Sequence, residues 1–228
     1  MNTTNSTNEI KTTPILEEKL RKPLVTTYRK ALWRPFMKAI EEYGLIEEND
    51  RIGVIFDDRE ETYLLGNLLK EYELYMKRNI TVHFIMEQEE LEQSIKELGL
   101  TKLTSSYTFD SVVEHILYAM LYQGKYETLM PKQYLDKETL LQGIAPLYLI
   151  RRRDMKKWIE RCGIQGKNTE ESQELQEVQK ILIHLRSINP QIEEHIFRSA
   201  QNVNLEALIS YEKDRNKYHF LDYYRERL

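Results

Sequence analysis

Cysteine is almost absent from this sequence: the 228 residues contain one, Cys162. A single thiol cannot form an internal disulfide, and structural zinc sites built on thiolates need several cysteines. We therefore interpret Cys162 as a free thiol, buried or half-exposed, with no cross-linking role.

Long apolar runs are also missing. None reaches the ~20 residues that a membrane-spanning helix requires, and the N-terminal residues lack the apolar centre of a signal peptide. We expect a protein located in the cytoplasm, without a membrane partner. Residues 1–13 are mostly Asn, Thr and Ser, a composition typical of disorder, and we predict a disordered tail over residues 1–20.

Glycine is scarce, with eight in the whole chain, and none stands where a phosphate-binding turn would need it. The stretch RIGVIFDDREETYLLGNLL, residues 51–69, reads as a buried strand, a turn and a core-facing helix. Ligands of open α/β sheets bind just past such a strand, and phosphate needs close backbone approach and free amides. This turn instead offers four carboxylates, on Asp57, Asp58, Glu60 and Glu61, beside Arg59. The stretch therefore has the layout of a nucleotide site without its chemistry.

Three further segments favour strands: residues 80–86, 100–106 and 144–150. Helices are predicted between them, and long amphipathic helices over residues 170–187 and 191–201 follow without strands. We predict an α/β, Rossmann-like fold with a mainly parallel sheet of about four to five strands and a C-terminal helical appendix. The α/β domain is assigned to residues 21–165, including a basic N-terminal helix over residues 24–43 that is bent near Pro35. The appendix is assigned to residues 166–228.

Charge is segregated along a chain whose net charge is only -4. Residues 19–38 carry seven bases and no acid, residues 41–61 carry nine acids, and a second basic run covers residues 151–167. Bases interleaved with aromatic rings suit phosphate contact and base stacking. Nine residues are therefore candidates for contact with nucleic acid: Arg29, Lys30, Trp33, Arg34, Arg151, Arg152, Arg153, Lys156 and Lys157. A solvated helix face is the plain alternative, and the run 151–153 could also serve a protein partner or Glu-rich helices of its own chain.

Four segments, taken in order, resemble one family. They are AIEEYGLIEENDRIGVI, FDSVVEHILYAMLYQGKYETLMPK, IAPLYLIRRRDMKKWIERCGI and INPQIEEHIFRSAQNV. Together they resemble the tRNA 2-thiocytidine synthetases of the PP-loop ATP pyrophosphatase superfamily, which are related to the tRNA-isoleucine lysidine synthetases. The resemblance implies an adenine nucleotide alpha hydrolase-like fold. In that family the fold binds ATP, adenylates a cytidine of tRNA and replaces its oxygen with sulfur.

The chain departs from the family where the chemistry lies. The PP-loop SGGKDS falls on Phe56, Asp57, Asp58, Arg59, Glu60 and Glu61, with both glycines and both serines replaced. The second nucleotide signature, GHHxDD, falls on residues 105–110, where Ser105 and Ser106 open the segment and only Asp110 is kept; Glu114 in the following helix also matches the family. Relatives in this family hold an iron-sulfur cluster through cysteines. Such a cluster needs at least three thiolate ligands, whereas this chain has one cysteine, so the cluster is not expected here. We expect neither that cluster nor bound ATP and magnesium.

Three functions follow as hypotheses. The leading one is a non-catalytic member of this family, with tRNA, a second copy of the chain or an active paralogue as partner. The second is an active ATP-dependent tRNA-modifying enzyme with a rewired site, in which Arg59 contacts phosphate and Asp110 a metal. The third is a magnesium-dependent phosphoester hydrolase that uses the acidic turn of residues 57–61 with Asp110. The plain alternative for these acids is a helix N-terminus, where negative charge favours the dipole.

Overall fold

The computed structural model describes residues 17–76, 79–86, 91–167, 170–213 and 216–226. The helices are α1 (Glu18–Val25), α2 (Arg34–Glu42), α3 (Glu60–Met76), α4 (Leu91–Glu97), α5 (Phe109–Tyr118), α6 (Arg152–Cys162), α7 (Gln173–Ile188), α8 (Ile192–Gln201) and α9 (Phe220–Glu226). The strands are β1 (Arg51–Ile55), β2 (Thr81–Ile85), β3 (Lys102–Thr104), β4 (Lys132–Tyr134), β5 (Gln142–Ile144), β6 (Ser210–Lys213) and β7 (Asn216–His219). Among these described segments, each helix is too short or too polar to cross a lipid bilayer.

Five strands form one sheet in the order β2-β1-β3-β5-β4. All pairs are parallel except β4 with β5, which is antiparallel. The chain leaves β1 through α3 toward β2, whereas it leaves β3 through α5 toward the opposite edge. The boundary between β1 and β3 is therefore a topological switch point, where crevices form at the carboxyl ends of the strands. This confirms the predicted α/β fold with a mainly parallel sheet.

Three apolar clusters hold the helices on the sheet. The largest one joins strands β1 and β5 to helices α1, α2, α3 and α6, and it includes the fully buried Trp158. The second joins α5, α7 and α8 through residues such as Val113, Val178 and Phe197. A smaller cluster seats α4 beside β2 and β3. Because α3 and α5 belong to different clusters, the two helices that flank the switch point pack in different parts of the core.

The basic N-terminal segment differs from the single helix predicted over residues 24–43. α1 ends at Val25, a π-helical turn covers Arg29–Trp33, and α2 continues from there. The break precedes Pro35, which lies in the first turn of α2. Proline suits that turn, because the N–H that it lacks would have no hydrogen-bond partner there. α1 begins at Glu18 and buries Leu20, so the end of the predicted disordered tail is helical. Residues 1–16 of that tail lie outside the described residues.

The prediction of a strand over residues 144–150 is wrong except at its first residue. β5 ends at Ile144, and turns follow in which Tyr148 donates to the carbonyl of Ala145 and Ile150 to that of Leu147. These side chains are buried, and a short buried apolar run has the same composition in a strand and in a packed loop. The C-terminal part also differs from an all-helical appendix, because β6 and β7 form a hairpin there. One of the helices predicted between the strands, over residues 87–98, corresponds to α4, which is described from Leu91 onward; residues 87–90 lie outside the described residues.

Candidate functional site

A crevice of about 800 Å³ opens at the carboxyl ends of the strands, at the switch point. Its walls come from the β1–α3 turn, the β3–α5 loop, the start of α6 and the segment before α7. The charged and polar lining includes Arg59, Glu60, Glu61, Ser106, Ser111, Glu114, His115, Arg152, Lys156, Lys167, Glu170 and Glu171. Four cations face five carboxylates there, so the crevice is of mixed charge rather than a basic cradle. Such a balance does not favour a polyphosphate.

The polar side chains of the β1–α3 turn bond largely to one another and to adjacent residues. The Nε of Arg59 lies 2.6 Å from Oδ2 of Asp57, and its Nη2 donates to Oγ of Ser106 at 3.0 Å. Asp58 takes a left-handed backbone conformation, with φ of 65°, and its Oδ1 accepts from the hydroxyl of Tyr63 at 2.6 Å. Burial, and then this bond to Asp58, raise the pKa of Tyr63 to about 12. The turn is thus fixed by its own side chains.

A segment from a distant part of the chain closes this turn. The backbone N–H of Lys167 donates to the carbonyl of Asp58 at 2.7 Å. Next to it, Gly166 packs so closely that a Cβ atom there would lie 2.7 Å from the backbone nitrogen of Glu60 and 3.1 Å from the carbonyl carbon of Arg59. The backbone nitrogen of Glu60, the first residue of α3, therefore packs against Gly166, at the point where a phosphate would approach a helix N-terminus.

Asp110, near the start of α5, also has a hydrogen-bond partner within the chain. Its Oδ2 accepts from the backbone N–H of Arg152 at 2.7 Å, at the start of α6. One turn further along α5, the carboxylate of Glu114 receives both guanidinium nitrogens of Arg152, at 2.7 and 3.0 Å, and the amide of Gln179 at 3.2 Å. Burial lowers the pKa of Arg152, but hydrogen bonding and charge from Glu114 outweigh it and raise the pKa overall. Ser105 likewise bonds within the sheet, donating from its N–H to the carbonyl of Ile144.

The residues present do not fit the groups that the fold family implies. The lone thiol of Cys162 is half-buried near the end of α6, and burial raises its pKa, which disfavours the thiolate that a cluster needs. In the described part of the chain, no three His, Cys, Asp or Glu side chains converge to hold a metal ion. Asp57, Asp58 and Asp110 already have the partners given above, and the closed turn leaves the phosphates of ATP no backbone cradle.

Arg151 is held by the helices that follow it. Its guanidinium lies 4.1 Å from the ring centre of Phe109 and pairs with Glu193 at 2.7 Å and Glu194 at 2.5 Å. Glu193 is buried and also pairs with Arg186. Sequence reasoning missed both glutamates as partners, although it raised Glu-rich helices of the same chain as one destination for this basic run. Arg151 and Arg152 are therefore engaged within the chain.

The other candidates for nucleic-acid contact divide by exposure. Arg29, Lys30 and Arg34 are exposed, as are Arg153, Lys156 and Lys157 on α6. Trp33 is not: it is 5% exposed and packs against Phe36 and Tyr75, so its ring does not stand open for stacking on a base. A tryptophan within a basic segment has the same sequence pattern whether its ring faces solvent or the core.

The two basic segments lie side by side. The hydroxyl of Tyr28, which precedes the π-helical turn Arg29–Trp33, donates to the carbonyl of Lys157 on α6 at 3.0 Å. Contacts between this turn and α6 continue the packing. Arg29 and the exposed cations of α6 therefore belong to adjoining elements, although they are far apart in sequence.

Comparison with known proteins identifies the fold. No protein-family model matches the chain, and no curated protein matches it. Among solved structures, the U34-tRNA thiolase NcsA from Methanococcus maripaludis, with its [4Fe-4S] cluster, superposes with a TM-score of 0.54 at 12% identity, covering 78% of this chain and 81% of that one. Phosphoadenylyl-sulfate reductase from Candida auris, in a phosphate complex, reaches a TM-score of only 0.27 at 11% identity, over 66% of this chain and 89% of that one, which is too low to add to the argument. The chain thus has an adenine nucleotide alpha hydrolase-like fold, and the likeness extends to the fold alone.

Proposed function

We propose that this chain is a non-catalytic protein with a PP-loop, tRNA-thiolase-like fold, which binds tRNA without modifying it. The observation that carries the proposal is the closed β1–α3 turn. Gly166 packs against the backbone nitrogen of Glu60, and the N–H of Lys167 bonds to the carbonyl of Asp58, so residues 166 and 167 cover the start of α3 where a phosphate would approach. With that approach covered, we expect no adenylation of a base by this chain.

Charge at the turn supports the same reading. Asp57 is neutralised by Arg59, but Glu60 and Glu61 remain at the N-terminus of α3, where they favour the helix dipole. An incoming phosphate would meet these two carboxylates before it reached an amide. The same two carboxylates thus disfavour an anion at this turn and stabilise the start of α3.

The rewired-enzyme hypothesis receives less support from the geometry. It needs Arg59 for phosphate and Asp110 for a metal, and both are engaged, by Asp57 with Ser106 and by the N–H of Arg152. The magnesium-hydrolase hypothesis needs several carboxylates at one point, whereas Asp57 and Asp58 bond to separate partners, Arg59 and Tyr63. No contact among the described residues favours either alternative.

The tRNA part of the proposal rests on the exposed bases and on the activity of NcsA as a tRNA thiolase. Arg29, next to Tyr28, and the exposed cations of α6 lie on adjoining elements, and Lys30 and Arg34 add exposed positive charge on the same N-terminal segment. In a protein of net charge -4, RNA is repelled on average, so binding must come from such a local concentration of bases.

Two measurements on the full chain test the proposal. Isothermal calorimetry with magnesium and ATP is expected to give no heat of binding, and fluorescence anisotropy is expected to show salt-sensitive binding of labelled tRNA. Micromolar ATP affinity would overturn the non-catalytic assignment and favour the rewired enzyme. Indifference to tRNA at low salt would overturn the RNA assignment, and pairing with a second copy or an active paralogue would then account better for the fold.

A further inference from the structure

A second groove, of about 390 Å³, lies away from the crevice, between α2 and α8. Five cations line it: Lys30, Arg34, Lys38, Arg151 and Arg198. Only two carboxylates do so, Glu42 and Glu194, which leaves a local charge of +3. Arg198 belongs to neither basic run of the sequence, and only the packing of α8 brings it to this place.

The cations differ in how free they are. Arg151 is paired with two glutamates, and Lys38 lies 3.5 Å from Glu42. For Lys30, Arg34 and Arg198, by contrast, no carboxylate within the described ranges comes as close as 4.0 Å. All three are exposed. They are the charges that an incoming anion would meet.

The arrangement is a row rather than a point. Lys30, Arg34 and Lys38 follow one another at intervals of four residues, so they share one side of the π-helical turn and α2, with a rise of about 6 Å per step. Arg198 stands on the opposite wall. The apolar floor contains Phe109 and Phe197, whose rings are buried and offer no face for a base. The groove thus presents repeated positive charge without a stacking platform.

We propose that this groove binds the phosphodiester backbone of a single-stranded segment of RNA, with Lys30, Arg34 and Arg198 as its main contacts. The proposal rests on the RNA-binding function proposed above and adds the strand type and the site. Cations in line along a concave surface suit a flexible chain of evenly spaced phosphates, whereas an A-form stem presents a rigid convex surface. Without ring faces in the groove, binding is independent of base sequence. An acidic protein segment is the competing occupant.

The experiment measures anisotropy of a labelled oligouridine of about eight nucleotides at several salt concentrations, on the full chain. The variants are Arg198→Ala and the double variant Lys30→Ala with Arg34→Ala. Lys96→Ala, at an exposed base on α4, is the matched control. We expect each lost contact to weaken binding up to about fivefold and to lower the log-log salt slope by about 0.7. The control should match the wild type, and circular dichroism verifies that every variant is folded.

Four results would overturn the inference. If both groove variants bind oligouridine as tightly as the wild type, the groove is not the binding site. The proposed function would still hold in that case, provided that tRNA binding is observed. Equal affinity for an RNA duplex of the same length would remove the single-strand assignment. Tighter binding of a glutamate-rich peptide of matched length would replace RNA by protein as the occupant. Loss of tRNA binding by the wild type itself would instead overturn both proposals.

Discussion

Gly166 is the residue on which the packing of the distant segment against the β1–α3 turn depends. Its backbone does not take a left-handed conformation, so alanine could adopt the same φ and ψ, and the only obstacle is contact with Glu60 and Arg59. In an open position, Gly→Ala stabilises a protein by about 0.4–1 kcal/mol, because it restricts the unfolded chain. Here the added Cβ would meet backbone atoms, which cannot move aside as a flexible side chain would.

We therefore predict that Gly166→Ala lowers the free energy of unfolding by about 1–3 kcal/mol, the opposite sign to an open glycine. Urea denaturation measures the change, and hydrogen exchange at the amide of Lys167 shows whether its bond to Asp58 is lost. Lys167→Ala is the control, since the bond comes from the backbone N–H and the side chain is exposed. A stabilised Gly166→Ala variant would mean that the segment does not pack on the turn as described.

Helix α6 is the element that ties the two halves of the core together. Its residues Met155, Trp158 and Ile159 pack in the cluster with α3, while its first residue, Arg152, reaches α5 through Glu114. Arg151, just before it, reaches α8 through Glu193. The basic run that begins α6 thus has a structural role, and reversing its first two charges would damage the fold before it tested RNA binding.

We predict that Arg152→Ala costs about 2–3 kcal/mol of stability, because it leaves the carboxylate of Glu114 buried without its partner. The value lies below that of a fully buried pair, since the Arg152 side chain keeps 26% of its surface exposed. A double-mutant cycle with Glu114→Ala should give a coupling energy of about 1–3 kcal/mol. The neighbouring Arg153→Ala, at an exposed position, is the control and should stay within about 0.5 kcal/mol of the wild type. Additive effects of the two alanines would contradict the pairing.

Most elements of the sheet and its helices could be predicted from the sequence, because their periodicity is strong. β1, β2, α3, α5 and α8 are examples, found close to where the spacing of apolar residues places them. β4 and the hairpin of β6 and β7 could not, since strands of three or four polar residues carry no clear alternation. The residues after Ile144 are predicted as a strand but form a loop, because a buried loop and a buried strand have the same apolar composition.

For the candidate site, the sequence located the acidic turn but not what closes it. Four carboxylates after a buried strand already argued against phosphate. The contact of Gly166 with Glu60 could not be predicted, because it joins residues distant in sequence and neither has a distinctive pattern. The burial of Trp33 and the partners of Arg151 were hidden for the same reason: a charge or a ring shows its type in the sequence, but its neighbours are fixed only by tertiary packing.

The separation of charge over the protein surface determines which face RNA can approach. Arg153, Lys156 and Lys157 are exposed on α6, and the contact of Tyr28 with Lys157 sets Arg29 beside them. Two of these cations are partly neutralised by one carboxylate, since Lys157 lies 3.2 Å and Arg153 3.8 Å from Asp154. The remaining bases form a surface that adjoins the N-terminal basic segment without the structural ties of Arg151 and Arg152.

We predict that reversing Arg153, Lys156 and Lys157 together to glutamate weakens tRNA binding without unfolding the protein, because these side chains point to solvent while the buried face of α6 is untouched. Each phosphate contact removed should lower the log-log salt slope by about 0.7–0.9, so the variant should also depend less on salt. Anisotropy with labelled tRNA across a salt series gives both quantities. Lys96→Glu, a single reversal at an exposed position on α4, shows how far a charge reversal outside this surface changes tRNA binding. An affinity equal to that of the wild type across the series would show that tRNA does not contact α6, and would confine any RNA contact to the N-terminal segment and the groove beside α8.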